Sequence, residues 1–372
     1  MDDLLFRVVI SPFKGALLLI RMKTFLLGVI LLTCVVPFKA YPEGEHRLGI
    51  NTTIRTIREE VKSIQELGAG TIRVPLDWQL VKIQPGEYDW SSSDRLVNVA
   101  QTRHVEVLFT IHTLFKPVKP KRPRQIRGPI YEISPERFDR KELVYFFGAL
   151  AGRYRGRGVN YEIENEVNEG TLWGGTLAQY LELLQAGYEA IKKADPNAKV
   201  LPAAMRCGIL QNSPSGWAGE RAWKWHDGWL KPILSSKKFD VVNVHNYYFP
   251  SEITANGLTF RSYLQHIQDL MKESGLRDRP IWITETGFVS VPANTSGRID
   301  DGSYDKQARW LTEAYEQALE SGVEKVFWSI LCDRKEPYLG SMGLVDANGD
   351  PRPAWNAFKQ LTNGNETRSE PH

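Results

Sequence analysis

From about residue 46 to residue 361 the chain alternates short β-branched runs with longer amphipathic ones, and this alternation constrains the fold more than any other feature. Strands separated by helix-length segments need crossover connections, and crossovers build parallel sheets. Eight runs read as strands: 48–51, 71–76, 105–111, 159–166, 200–205, 241–244, 280–285 and 325–330. Helical spacing of apolar residues predicts helices over 57–67, 91–103, 135–155, 177–193, 260–271, 307–321 and 354–361. Ser91 is the expected cap of the second of these, and Leu143, Phe146, Phe147 and Leu150 form the buried face of the third. Eight such repeats predict an α/β fold of the (β/α)8 TIM-barrel type, which takes about 250 residues and fits within a chain of 372. No GxGxxG turn follows an early strand, which argues against a dinucleotide fold.

Hydrophobic and charged fractions of 42% and 24% are those of a globular chain. A net charge of +3, with no basic helix and no zinc-finger spacing, gives no basis for nucleic-acid binding. The 11 tryptophans are compatible with stacking platforms, although most belong in a core. Of the three cysteines, Cys34 falls in the leader, and Cys207 and Cys332 read as buried thiols, with a disulfide between them as the alternative. No His/Asp cluster with metal-ligand spacing is legible, so neither a metal nor a cofactor is expected.

Residues 1–40 read as a leader. Met22-Lys23-Thr24 precedes an apolar run from Phe25 to Val36, and Ala40 stands before polar Tyr41-Pro42-Glu43. A charged start, a short apolar stretch and a small residue make a secretory signal, and the run is short for a membrane span of roughly 20 residues. Met22 is the expected true start, and export is the expected destination; a retained N-terminal anchor is the competing reading. The catalytic barrel then occupies 41–363, and 364–372 is a polar tail.

Polar residues collect at the predicted strand ends: Arg73, His112, Asn165, Glu166, His245, Tyr247, Glu285 and Trp328. In a barrel these converge on one pocket at the C-terminal face. Two carboxyl groups among them suit glycoside hydrolysis, where the leaving oxygen needs a proton and the anomeric carbon needs an anion. Arg73 and Tyr247 near Glu285 favour its ionised form, and partial burial of Glu166 favours a protonated one. Taken singly, His112 and His245 also fit buried histidines, Arg73 a structural ion pair and Trp328 a core residue.

This ordered set resembles the clan A glycoside hydrolases, among them family five cellulases and mannanases and family thirty-nine xylosidases. The resemblance implies that Glu166 is the acid/base, Asn165 the amide that binds the sugar 2-hydroxyl, and Glu285 the nucleophile. It implies that Arg73, His112, His245, Tyr247 and Trp328 bind substrate. Pro85-Gly86-Glu87-Tyr88-Asp89-Trp90 is similar to a turn after the second strand of such enzymes. The implied activity is O-glycosyl hydrolysis of a β-linked glycan with retention, the carboxyl groups standing about 5–5.5 Å apart. A carbohydrate-binding pseudoenzyme on the same barrel is the alternative, and the presence of both glutamates favours the enzyme. No obligate protein partner is evident. One departure is Glu164, two residues before Glu166, where strand alternation would put it on the same side. The stretch Lys116–Arg124 is dense in cations and proline, which raises an acidic glycan beside the simpler reading of a solvated loop. Trp217, Trp223, Trp225 and Trp229 after the fifth strand are candidates for stacking on further sugars, and Trp225 and Trp229 also have helical spacing for packing on each other.

Overall fold

The structure is a computed structural model. It describes residues 47–52, 57–113, 115–118, 130–133, 139–169, 172–207, 220–251, 258–290, 303–333 and 341–368. The leader with Met22 and Cys34, residues 119–124 of the basic stretch, Trp217, the side chain of Trp223 and the end of the tail lie outside the described residues.

The chain enters the barrel through β1 (Leu48–Asn51), α1 (Ile57–Leu67) and β2 (Thr71–Asp77). A short turn, α2 (Trp78–Val81), leads into a small hairpin, β3 (Lys82–Gln84) and β4 (Glu87–Tyr88). Gly86, at φ 79°, supplies the left-handed residue this turn needs. Tyr88 and Trp90 then pack on Phe146, with ring centroids 5.3 and 5.9 Å away. The turn that resembles a family motif is thus a packing device. α3 (Ser91–Thr102) begins at Ser91 itself, and the Asp89 carboxylate accepts from the Ser91 N–H at 2.9 Å. Asp89, rather than the expected Ser91, supplies the capping oxygen.

β5 (Glu106–His112) is followed by a second antiparallel hairpin, β6 (Phe115–Val118) with β7 (Ile130–Ile133), and by α4 (Arg140–Arg153). Asp139 caps α4 through the N–H groups of Lys141 and Glu142, which sets its first turn later than the apolar spacing suggests. β8 (Val159–Ile163), α5 (Leu177–Ala194), β9 (Val200–Pro202) and α6 (Glu220–Ser236) come next. The chain closes with β10 (Val242–His245), α7 (Phe260–Glu273), β11 (Ile281–Thr286), α8 (Ser303–Glu320), β12 (Lys325–Trp328) and α9 (Pro353–Arg368).

Eight strands form one sheet in the order β10-β11-β12-β1-β2-β5-β8-β9, and every pair in it is parallel. The two edges meet: the Asp240 N–H donates to the Val200 carbonyl at 2.8 Å, and the Asn243 amide donates to the Pro202 carbonyl at 3.0 Å. The expected (β/α)8 barrel is the fold observed.

Inside, period-two alternation stacks side chains in layers. At the N-terminal mouth Lys325 donates to Glu106 at 2.7 Å and Thr71 at 3.1 Å. Leu108, Leu201, Val241, Trp282 and Phe327 form an apolar plug above them. Gly49 leaves room for the Phe327 ring, which a Cβ at that position would strike. Above the plug lies a polar layer of Asn51, Arg73, Thr110, Glu162, Asn243 and Thr284, contributed by six different strands. The larger core lies outside the barrel, between strands and helices, and includes the predicted helix face of Leu143, Phe146, Phe147 and Leu150.

Candidate active site

The polar layer is the floor of the site. Arg73, 7% exposed, extends a planar fork to three close acceptors, with a fourth, the Asn51 side-chain oxygen, at 3.4 Å. Its Nε donates to Glu162 at 2.6 Å, one terminal nitrogen to Glu285 at 2.7 Å, and the other to the Asn165 side-chain oxygen at 2.7 Å. Such a buried cation needs anions within hydrogen-bond range. Burial alone would lower the guanidinium pKa, but Glu162 and Glu285 outweigh that and raise it. Glu162 is itself fully buried and also accepts from Thr110 and Asn243, each at 2.6 Å. The Thr284 hydroxyl donates to the Asn243 side-chain oxygen at 2.6 Å, and the Thr284 carbonyl accepts from the Asn51 amide at 3.0 Å.

Glu285 leaves the alternation of its own strand. Trp282 and Thr284 point inward, so a regular β11 would turn Glu285 outward. The register shifts between Val244 and His245, and His245 faces Glu285 instead of Thr284. A bulge of this kind re-aims a side chain at the end of a strand. Glu285 then accepts from Arg73 on Oε1 and from the Tyr247 hydroxyl on Oε2 at 2.8 Å. Burial alone would raise its pKa; the charges of His245 and Arg73, with the Tyr247 and Arg73 hydrogen bonds, outweigh it and hold the carboxyl below its ordinary value.

β8 ends at Ile163, and the next residues break from extended geometry: φ is 66° at Glu164 and 44° at Glu166. Left-handed backbone at two glutamates is uncommon and costs energy, and such strain gathers at functional sites. It also separates the two side chains. Glu164 is buried and accepts from the Thr113 N–H at 2.7 Å and its hydroxyl at 2.5 Å, so it ties β8 to the end of β5 and does not share the orientation of Glu166. Burial pushes the Glu164 carboxyl up.

The imidazole of His245 bridges the two glutamates. It is fully buried, with Nδ1 2.9 Å from Glu166 Oε1 and Nε2 3.5 Å from Glu285 Oε1. Burial would lower its pKa, and the charge of Glu285 together with the Glu166 hydrogen bond raises it. One carboxylate oxygen from each of Glu166 and Glu285 and one nitrogen of His245 lie within 4.8 Å of one another.

The structure therefore brings together Arg73, Asn165, Glu166, His245, Tyr247 and Glu285. His112 sits at the C-terminal end of β5, its Nδ1 2.9 Å from Asp77 on the neighbouring strand. Trp328 requires a correction. It is fully buried, its indole N–H donates to the Met342 carbonyl at 2.9 Å, and its ring meets Trp310 edge-on at 5.8 Å. With Lys325 and Phe327 pointing inward, alternation sends Trp328 outward into the core and brings Ser329 to the site side. There the Ser329 hydroxyl accepts from Asn51 at 2.6 Å. Glu162, Asn243 and Ser329 support the site and were not among the expected residues. Their signal was the alternation itself, which marks 162 and 243 as inward and polar. Cys207 and Cys332 are free thiols rather than a disulfide, and Cys207 donates to the His245 carbonyl.

Removing the Tyr247 hydroxyl tests the electrostatics. Tyr247→Phe deletes a donor to the ionised form of Glu285, so the Glu285 pKa rises. The acid limb of kcat/KM is then expected to move to higher pH than in the parent, where the lowered Glu285 pKa sets the expected limb below the ordinary glutamate range. A pH–rate profile on an aryl glycoside checks the direction.

Residues 43–332 match the profile of the Cellulase (glycosyl hydrolase family 5) family. A family 39 glycoside hydrolase from the gut symbiont Bacteroides cellulosilyticus WH2 superposes with a TM-score of 0.61 at 16% identity, over 87% of this chain and 65% of that one. The chain thus spans about two-thirds of that relative's length. A GH5_18 protein from Streptomyces cattleya, solved in complex with GlcNAc, gives 0.61 at 17% identity, over 88% of this chain and 82% of that one. Xylanase 10B from Thermotoga maritima gives 0.59 at 16% identity, over 88% and 97%. At these identities the likeness is one of fold.

Proposed function

Since the chain belongs to the cellulase family, glycosyl hydrolase family 5, and is a glycoside hydrolase, we propose that it cleaves β-glycosidic bonds with retention of configuration. Glu285 attacks and Glu166 moves the proton. The observation that carries this reading is the approach of Glu166 and Glu285 to within 4.8 Å around His245. Oxygens that close support a retaining pair, whose carboxyl groups stand about 5–5.5 Å apart, over an inverting pair at about 6.5–9.5 Å.

In the first step a Glu285 oxygen bonds to the anomeric carbon as the glycosidic C–O bond breaks, and Glu166 gives its proton to the leaving oxygen. His245 engages Glu166 Oε1, so Oε2 is the oxygen we assign to that proton. Arg73 and Tyr247 keep Glu285 ionised for the attack and stabilise the carboxylate again when it leaves. In the second step water attacks the anomeric carbon, Glu166 accepts its proton, and the bond to Glu285 breaks. Asn165, whose oxygen is occupied by Arg73, has its amide N–H groups left to hold a sugar hydroxyl. The test is proton NMR of the first product formed from an aryl β-glycoside identified by screening. A β-anomer is expected at early times, and an α-anomer would refute the proposal.

Trp225 belongs to the leaving-group side in this scheme. It is 46% exposed, and its indole N–H donates to the carbonyl of Asn168, two residues past Glu166, at 2.7 Å. Its edge rests on Trp229, 6.1 Å away. A fixed, exposed ring next to the acid/base loop suits stacking on the departing sugar. Trp225→Ala is expected to raise KM for an oligosaccharide by about 5–150-fold, taking stacking on a ring as ~1–3 kcal/mol. It should leave an aryl monoglycoside nearly unaffected. Export through the Met22 leader completes the proposal, and N-terminal sequencing of the secreted protein should find a start beyond residue 22.

A further inference from the structure

We propose that His226, Asp227 and His266 form a binding site for one divalent transition-metal ion, with zinc the best match to the ligand set, that clips α6 to α7. Asp227 Oδ1 stands 3.0 Å from His226 Nδ1 and 3.0 Å from His266 Nε2, and the three donor atoms lie within 4.8 Å of one another. A tetrahedral zinc ion with arms of about 2.05 Å needs donor separations of ~3.3 Å, so the two contacts of Asp227 would open by a few tenths of an ångström, and the two histidine nitrogens, within 4.8 Å of each other, would settle at the same separation. Two imidazoles and a carboxylate suit zinc better than magnesium or calcium, which favour oxygen. Three protein ligands leave a fourth position to water.

The surroundings fit a ligand role. A metal-bound imidazole is usually fixed by a hydrogen bond from its other nitrogen. His226 Nε2 has this partner in the Tyr263 hydroxyl of α7, at 3.1 Å. His226 is buried and rigidly held, whereas the Asp227 and His266 side chains are 19% and 32% exposed, which gives an ion a way in. As the ion arrives each imidazole keeps its one proton on the nitrogen that does not bind, Nε2 in His226 and Nδ1 in His266, so a proton shared with Asp227 passes to that nitrogen through solvent. The sequence concealed the cluster because His266 lies 39 positions from Asp227, and only the packing of α7 on α6 joins them. The cluster shares no residue with the Glu166–His245–Glu285 group, the other set of suitable ligands among the described residues.

The test uses the full chain, stripped with chelator and equilibrated with zinc. About one ion per chain is expected at the cluster, with a rise in melting temperature. Glu166→Gln should retain this ion. His266→Ala and Asp227→Asn should each weaken it by more than about 100-fold, since even the loss of an outer hydrogen-bond partner costs ~10–100-fold, and Tyr263→Phe should fall within that smaller range. No zinc in the wild type, equal zinc in His266→Ala, or loss of zinc in Glu166→Gln would each overturn the assignment. Should the variants not fold, the cobalt-loaded wild type decides. Two shifted, exchangeable imidazole N–H signals in its proton spectrum support the site, and one or none refutes it.

Discussion

Glu285→Gln is expected to lower kcat by about 10⁵-fold or more, with KM for a ground-state ligand little changed, the scale at which removal of a nucleophile acts elsewhere. Glutamine keeps the shape, and its one oxygen can still accept from Arg73, while its amide nitrogen faces the Tyr247 hydroxyl, which must turn to act as acceptor. It carries no charge to stabilise the developing cation and cannot displace the leaving group. The loss thus isolates the chemical step from folding, provided that melting temperatures agree. Arg73 makes the outcome sharper. Its fork also engages Glu162 at 2.6 Å, so the buried guanidinium keeps one anion and the floor of the site should hold. Steady-state rates on an aryl glycoside, with thermal melts of both proteins, measure the effect. A variant within tenfold of the parent would mean that Glu285 is not the attacking group.

Glu166→Ala is expected to cost about 10²–10⁴-fold in kcat/KM on substrates whose leaving group needs a proton, the usual worth of a placed general acid. Aryl glycosides with acidic phenols should lose far less in the first step. Their slow step becomes hydrolysis of the glycosyl ester, which now lacks its base. Azide, an anion that needs no deprotonation, should restore turnover and give a β-glycosyl azide. Absence of rescue, or equal losses for acidic and poor leaving groups, would assign the proton transfer elsewhere. Glu164→Gln is the natural comparison, because Glu164 is buried against Thr113 and is expected to affect stability more than leaving-group dependence.

How much of this was legible in the sequence depended on whether a residue obeyed its local period. The eight strands and the face of α4 followed from alternation and helical spacing, since one packed layer on each side of the sheet leaves a regular apolar code. Arg73 and His245 sit where alternation puts them, on the inside. Glu285 does not: β11 bulges at its end, and no local propensity marks a bulge whose origin is the fit between neighbouring strands. Its place at a strand end is read from the residues and its role from resemblance, and neither shows the bulge that turns it inward. Glu164 misled for the complementary reason, as a positive φ ended the alternation that seemed to align it with Glu166. Trp328 could have been placed correctly, because Lys325 and Phe327 on the same short strand set its phase outward. Glu162 is legible in phase but not in role: alternation puts it on the inner face, and only the fold brings Arg73, Thr110 and Asn243 around it from three other strands.

The pairing of Glu166 with Glu285 as proton carrier and nucleophile is tested most directly by trapping the covalent intermediate. The protein is incubated with a 2-deoxy-2-fluoro aryl β-glycoside matching its preferred sugar, then digested and read by mass spectrometry. One fluoroglycosyl group is predicted per chain, esterified to Glu285. A label on another carboxylate, or steady turnover of the parent glycoside with no adduct formed, would contradict the assignment.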